Sequence, residues 1–91
     1  MSTTILLVDD SRASRMLCSS VIKSLRPGLV ILEAGDGEAA LAVLETHTPD
    51  LAVLDMNMPG MSGLELAERI RATQPDMKLA LLTANVQEAI Q

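Results

Sequence analysis

Four short runs of apolar residues punctuate the chain, at 5–8, 30–32, 51–54 and 79–82. Each is continuously apolar rather than alternating, which predicts strands covered on both faces, as in a parallel sheet between helices. Between the runs, apolar positions recur at helical spacing. Ala13, Met16, Leu17, Val21 and Leu25 fall on one stripe after a cap at Asp10 or Ser11, and Pro27-Gly28 ends that first helix. A second helix is expected at about 38–45, entered through Gly35-Asp36-Gly37. A third starts near Ser62 or Gly63, carries Leu64, Ala67 and Ile70 at helical spacing, and stops before Pro75. Residues 86–91 look like the first turns of a fourth helix.

This β-α-β-α-β-α-β-α order implies an α/β fold with parallel strands, right-handed crossovers and helices on both faces. No repeat or linker interrupts it, so residues 1–91 form one domain at most. A final helix of six residues is marginal alone, and the chain reads as cut short at its C-terminus.

Composition narrows the picture. Hydrophobic residues make up 48% and aromatic residues none, so the core must be aliphatic side chains and Met. The net charge of −5 and the lack of any Lys/Arg cluster argue against nucleic-acid binding by this fragment. Cys18 is the single cysteine, which excludes an internal disulfide and suits a reducing cytoplasm. The N-terminal stretch has neither the basic region nor the apolar length of a signal peptide or membrane span.

Candidate chemistry gathers at strand ends. Asp9 and Asp10 follow the first run and Asp55 follows the third. In a parallel sheet ligands collect at the carboxyl ends of the strands, so neighbouring first and third strands would bring three carboxylates together. Like charges so placed repel unless a cation holds them, and hard oxygen donors suit Mg²⁺. Thr83 offers a hydroxyl at the end of the fourth run, on the same edge. Each piece alone has an ordinary reading as a helix cap or solvated turn. Their common placement at one end of the sheet is what singles them out.

The segments ILLVDDS, GDGEAAL, DLAVLDMNMPGMSGLEL and LALLTAN together resemble the response-regulator receiver family of two-component signalling, to which the bacterial chemotaxis regulator belongs. The resemblance covers essentially all 91 residues in the family's order and spacing. It implies a flavodoxin-like doubly wound parallel sheet of order 2-1-3-4, lacking the fifth strand and fifth helix. It further implies that Asp55 is the phosphoacceptor, supplied by a histidine kinase or histidine phosphotransferase. Mg²⁺ would be bound by Asp10, Asp55 and the backbone carbonyl of Asn57, with Asp9 helping directly or through water. Thr83 would be the switch hydroxyl. Such a module is not an enzyme beyond promoting its own phosphorylation and dephosphorylation. Pro59 and Gly60 resemble the turn that orients the loop after the acceptor, and Asn57 and Asn85 the positions that influence phosphoryl lifetime.

The family's fifth-strand Lys would lie beyond Gln91, and neither Lys23 nor Lys78 is placed to replace it, so phosphoryl transfer is expected to be impaired. The uncovered fourth strand is expected to self-associate. A phosphate-transfer enzyme of the haloacid-dehalogenase type would carry an Asp-x-Asp pair, whereas this chain has Asp55-Met56-Asn57. A pure interaction module would not need the carboxylates, and dinucleotide binding lacks its Gly-rich fingerprint. Three further features have plain readings: His47 as an exposed loop residue, Cys18 as semi-buried, and Met56, Met58 and Met61 as loop packing. Arg12 and Arg15 are expected on the exposed face of the first helix, which in this family helps dock the phosphodonor.

Overall fold

Each apolar run becomes a five-residue strand: β1 (Thr4–Val8), β2 (Val30–Ala34), β3 (Leu51–Asp55) and β4 (Lys78–Leu82). They alternate with α1 (Arg12–Leu25), α2 (Gly37–Leu44) and α3 (Gly63–Thr73). This computed structural model describes residues 3–56, 58 and 60–82. The expected fourth helix therefore lies outside the described residues.

All three strand pairings are parallel and the sheet order is β2-β1-β3-β4, as the sequence predicts. Val8 is level with both Ala34 and Leu54. The residues that follow β1 and end β3 therefore emerge side by side at one edge. At the other end the Thr4 amide donates to Asp50 Oδ2 at 2.8 Å, and the Asp50 amide donates to the Thr4 carbonyl at 2.8 Å. That reciprocal pair fixes the register of β1 against β3.

Side chains stop and start the helices. Ser11 Oγ accepts from the Ser14 amide at 3.3 Å, Asp36 Oδ1 from Ala39 at 2.7 Å, and Ser62 Oγ from Glu65 at 3.2 Å. Each satisfies an amide that the first turn leaves unpaired, worth about 1 kcal/mol. Because Asp36 is the cap, α2 begins at Gly37, one residue before the sequence places it. The Arg26 amide closes α1 on the Ile22 carbonyl, ahead of Pro27.

The two faces of the sheet are covered unequally. Leu6, Val8, Ala52 and Leu54 join Ala40 of α2 and Leu66, Ala67 and Ile70 of α3 in one buried cluster. Ile5 and Leu7, of opposite parity, are buried outside that cluster. They lie on the face where a right-handed crossover puts α1, away from α2 and α3.

Here two expectations fail. The first is that the stripe of Ala13, Met16, Leu17, Val21 and Leu25 packs inward: all five are exposed. Instead α1 turns Arg15, Cys18, Ser19 and Ile22 toward the sheet, a stripe at spacings of three and four. The second is full burial of every strand. Only β1, flanked by strands on both sides, is nearly so; β2 exposes Val30 and β4 exposes Leu81, because both are outer strands of the described sheet.

Candidate functional site

The carboxyl ends of β1 and β3 assemble the site. One carboxylate oxygen from each of Asp9, Asp10 and Asp55 lies within 4.8 Å of the others. Asp10 is exposed, and Asp9 and Asp55 are more enclosed. The sequence-predicted trio is thus brought together by the pairing of β1 with β3. Two oxygens on opposite sides of one octahedral Mg²⁺ stand about 4.2 Å apart. The cluster lies within the reach of one such ion after small side-chain adjustments, and its donors are all hard oxygens. The residues fit the group.

Asp9 is anchored through its amide, its carboxylate and its carbonyl. Its amide donates to the Ala34 carbonyl at 3.1 Å, and its Oδ1 accepts from the Ser11 amide at 2.9 Å. Its own carbonyl accepts from Arg15 Nη1. Arg15 also pairs through Nε with Glu33 Oε1 at 3.2 Å, and its side chain is only 16% exposed. The expectation of an exposed Arg15 is therefore corrected, while Arg12 is exposed. Glu33 is the one charged residue in an otherwise apolar strand, and that was the available signal for Arg15.

The loop after Asp55 is shaped by glycine. A Cβ at Gly63 would collide with the Asp55 carbonyl, and the Gly63 amide donates to the Met56 carbonyl at 3.3 Å. The start of α3 is thereby folded back against the peptide that follows Asp55. Gly60 has φ +81°, a backbone conformation that side chains disfavour. Met58 is buried in the main core cluster and Met61 packs beside it. Gly37 leaves room for that Met61 side chain, whose Sδ would be 2.7 Å from an added Cβ. Met58 and Met61 thus pack the loop against the core, in line with the plain reading of these methionines.

Asn57 and Thr83, together with Pro59 and Asn85, lie outside the described residues. Lys23 falls in α1, and Lys78 opens β4 at the end of the sheet away from Asp55. His47 is exposed in the loop before β3, with Nδ1 2.9 Å from Thr46 Oγ1. Cys18 is half-buried in α1. No helix among the described residues is long and apolar enough to cross a membrane.

A doubly wound parallel sheet with an acidic cluster at the ends of β1 and β3 defines a signalling-receiver architecture, and the comparisons agree. Residues 5–91 match the model of the response regulator receiver domain. The chain belongs to that family, the receiver domains of two-component systems. In structure it is similar to the response regulator TrrA of Thermotoga maritima, crystallised in complex with Mg²⁺-BeF. The two share 38% identity and a TM-score of 0.85, over 98% of this chain and 76% of that one. A crystal structure of histidine kinase ThkA in complex with TrrA also matches, at 41% identity and a TM-score of 0.81, over 90% of this chain and 69% of that one.

Among curated relatives, the sporulation initiation phosphotransferase F of Bacillus subtilis is 33% identical, over 92% of this chain and 66% of its own length. The probable transcriptional regulatory protein TcrX of Mycobacterium tuberculosis is 40% identical, over 89% of this chain and 34% of its own length. For the virulence sensor protein BvgS of Bordetella pertussis the shares are 81% and 6%, at 43% identity. The chain therefore spans from about one seventeenth to two thirds of the length of these relatives.

Proposed function

We propose that Asp55 accepts a phosphoryl group from the phosphohistidine of a histidine kinase or histidine phosphotransferase, with Mg²⁺ as the cofactor. The observation that carries this reading is the convergence of Asp9, Asp10 and Asp55 within 4.8 Å at the ends of adjacent parallel strands. In the step, a carboxylate oxygen of Asp55 forms a bond to phosphorus as the phosphorus–nitrogen bond of the donor breaks, and the imidazole leaves with the electron pair. The metal supplies positive charge that offsets the build-up on the transferring oxygens. Asp10, Asp55 and the Asn57 carbonyl hold it, with Asp9 directly or through water. Thr83 is the switch hydroxyl that turns to the phosphoryl oxygen.

The likeness to TrrA, which was crystallised both with Mg²⁺-BeF and with a histidine kinase, supports this cofactor and this class of partner. The exposed apolar stripe of α1, beside exposed Arg12, supplies a surface of the kind a helical donor can cover. On this reading the chain is a cytoplasmic phosphorelay module, and its catalysis is confined to its own Asp55. Lys23 and Lys78 stand away from the site.

Intact-mass measurement after incubation with Mg²⁺ and a small acyl phosphate tests the assignment. One added phosphoryl group is expected, and none in Asp55→Asn; an unmodified wild type would overturn it. The outer position of β4, with Leu81 38% exposed, supports self-association through that strand. Light scattering at high concentration is expected to give a dimer mass, and a monomer mass would rule the association out.

A further inference from the structure

Arg15 connects three segments that meet at the acidic cluster. It rises from the sheet-facing side of α1, donates through Nη1 to the Asp9 carbonyl, and pairs through Nε with Glu33 of β2. Its guanidinium also passes Gly35, where an added Cβ would lie 3.5 Å from Nη1. The carbonyl it holds belongs to the peptide that joins Asp9 to Asp10. The residue on one side of that peptide is already fixed, by the Asp9 amide on Ala34 and by Asp9 Oδ1 on the Ser11 amide. With the carbonyl pinned as well, the plane of the peptide is set, and so is the direction in which the Asp10 side chain leaves the backbone.

We propose that Arg15 is a positioning residue for the acidic site: with Glu33 as its anchor, it holds the Asp9–Asp10 peptide so that the carboxylates are pre-arranged for a divalent cation. The proposal rests on the Mg²⁺ reading of the site. Two effects of Arg15 on cation affinity oppose each other. Its positive charge repels the ion, whereas its tether removes the need to order the loop on binding. The charge is partly offset by Glu33 at 3.2 Å, while the hydrogen bond to Asp9 acts on the ligand-bearing backbone itself. The tether therefore dominates, and the sign of the effect of substitution distinguishes the two.

The test measures Mg²⁺ affinity by titration calorimetry, and amide hydrogen exchange at Asp9 and Ser11 in metal-free protein. Wild type is compared with Arg15→Ala, Arg15→Lys and Glu33→Gln. Arg15→Ala should weaken Mg²⁺ binding by about tenfold, the lower range for groups that orient metal ligands. It should also speed exchange at both amides beyond any change in global protection. Arg15→Lys should recover part of the loss, since an ammonium can reach one of the two acceptors but lacks the guanidinium fork. Glu33→Gln leaves a neutral acceptor in place of the charged anchor and should weaken Mg²⁺ binding, though less than Arg15→Ala does.

Tighter Mg²⁺ binding in Arg15→Ala is the outcome expected of charge alone and would overturn the proposal, as would unchanged affinity with unchanged exchange. A wild type that takes up no Mg²⁺ would overturn the metal reading and the proposed effect on affinity. Exchange would then decide the tether by itself: faster rates in Arg15→Ala would support it, and equal rates would end it. If Arg15→Ala does not fold, Arg15→Lys carries the same comparison: weaker Mg²⁺ binding with faster exchange than wild type supports the tether, and wild-type values of both end it.

Discussion

Leu66 of α3 and Leu17 of α1 are the same side chain on opposite faces of one sheet, and they meet opposite fates: Leu66 is fully buried, whereas Leu17 is 67% exposed. Around Leu66, two helices close over Leu6, Val8, Ala52 and Leu54. Burial on that face contributes about 1.5–3 kcal/mol for each large aliphatic side chain taken fully out of water. On the other face α1 reaches the sheet through Arg15, Cys18, Ser19 and Ile22, and leaves Met16, Leu17, Val21 and Leu25 outside. One face supplies most of the stability. The other exchanges packing for polar contacts, Arg15 with Asp9 and Glu33, at the edge where the carboxylates meet.

Matched truncations can break or sharpen that contrast. Leu66→Ala should lose about 2–5 kcal/mol in denaturant unfolding, since it leaves a cavity in the closed face; a loss under 1 kcal/mol would refute the asymmetry. Gly63→Ala should follow, at about 1–3 kcal/mol, because its methyl group must displace the Asp55 peptide. It should also shift the backbone resonances of Asp55 and Met56 more than those of β2, and an even spread of shifts would contradict the close approach described. Smallest of the three, Leu17→Ala should change stability by no more than about 0.5 kcal/mol, as an exposed helix position does. A loss as large as that of Leu66→Ala would mean that the α1 stripe is covered after all.

The strands were legible because continuous aliphatic runs between helical stripes mark a parallel sheet, and their order because the motifs resemble the receiver family. The acidic trio was legible for the same reason: once β1 and β3 are neighbours, residues at their ends must meet. The orientation of α1 was not. Helical spacing identifies stripes but not which of two adjacent stripes docks, and counting apolar residues selects Leu17 and Leu25 over Cys18 and Ser19. The docking stripe follows the crossover from β1 to β2 and includes the Arg15–Glu33 pairing, both of them tertiary facts. The Gly63 approach to Asp55 was also hidden, since its cause is the path of the loop rather than any local pattern. Asp50, which ties the start of β3 to Thr4, gave no sign in the sequence of a partner 46 residues away.

That last separation bears on how the protein folds. Thr4 and Asp50 clasp the entry to the same β1–β3 pairing whose exit carries Asp9, Asp10 and Asp55. Closing so long a loop is entropically slow, and Asp55 has no reason to be near Asp9 and Asp10 before it closes. The site is therefore absent from the unfolded ensemble. A cation that bridges Asp10 and Asp55 would act as a reversible cross-link across the two halves of the chain, adding by mass action about 2.7 kcal/mol at a hundredfold excess over its dissociation constant. The ion proposed for chemistry would then also report, by the melting temperature, that the chain has found its native register.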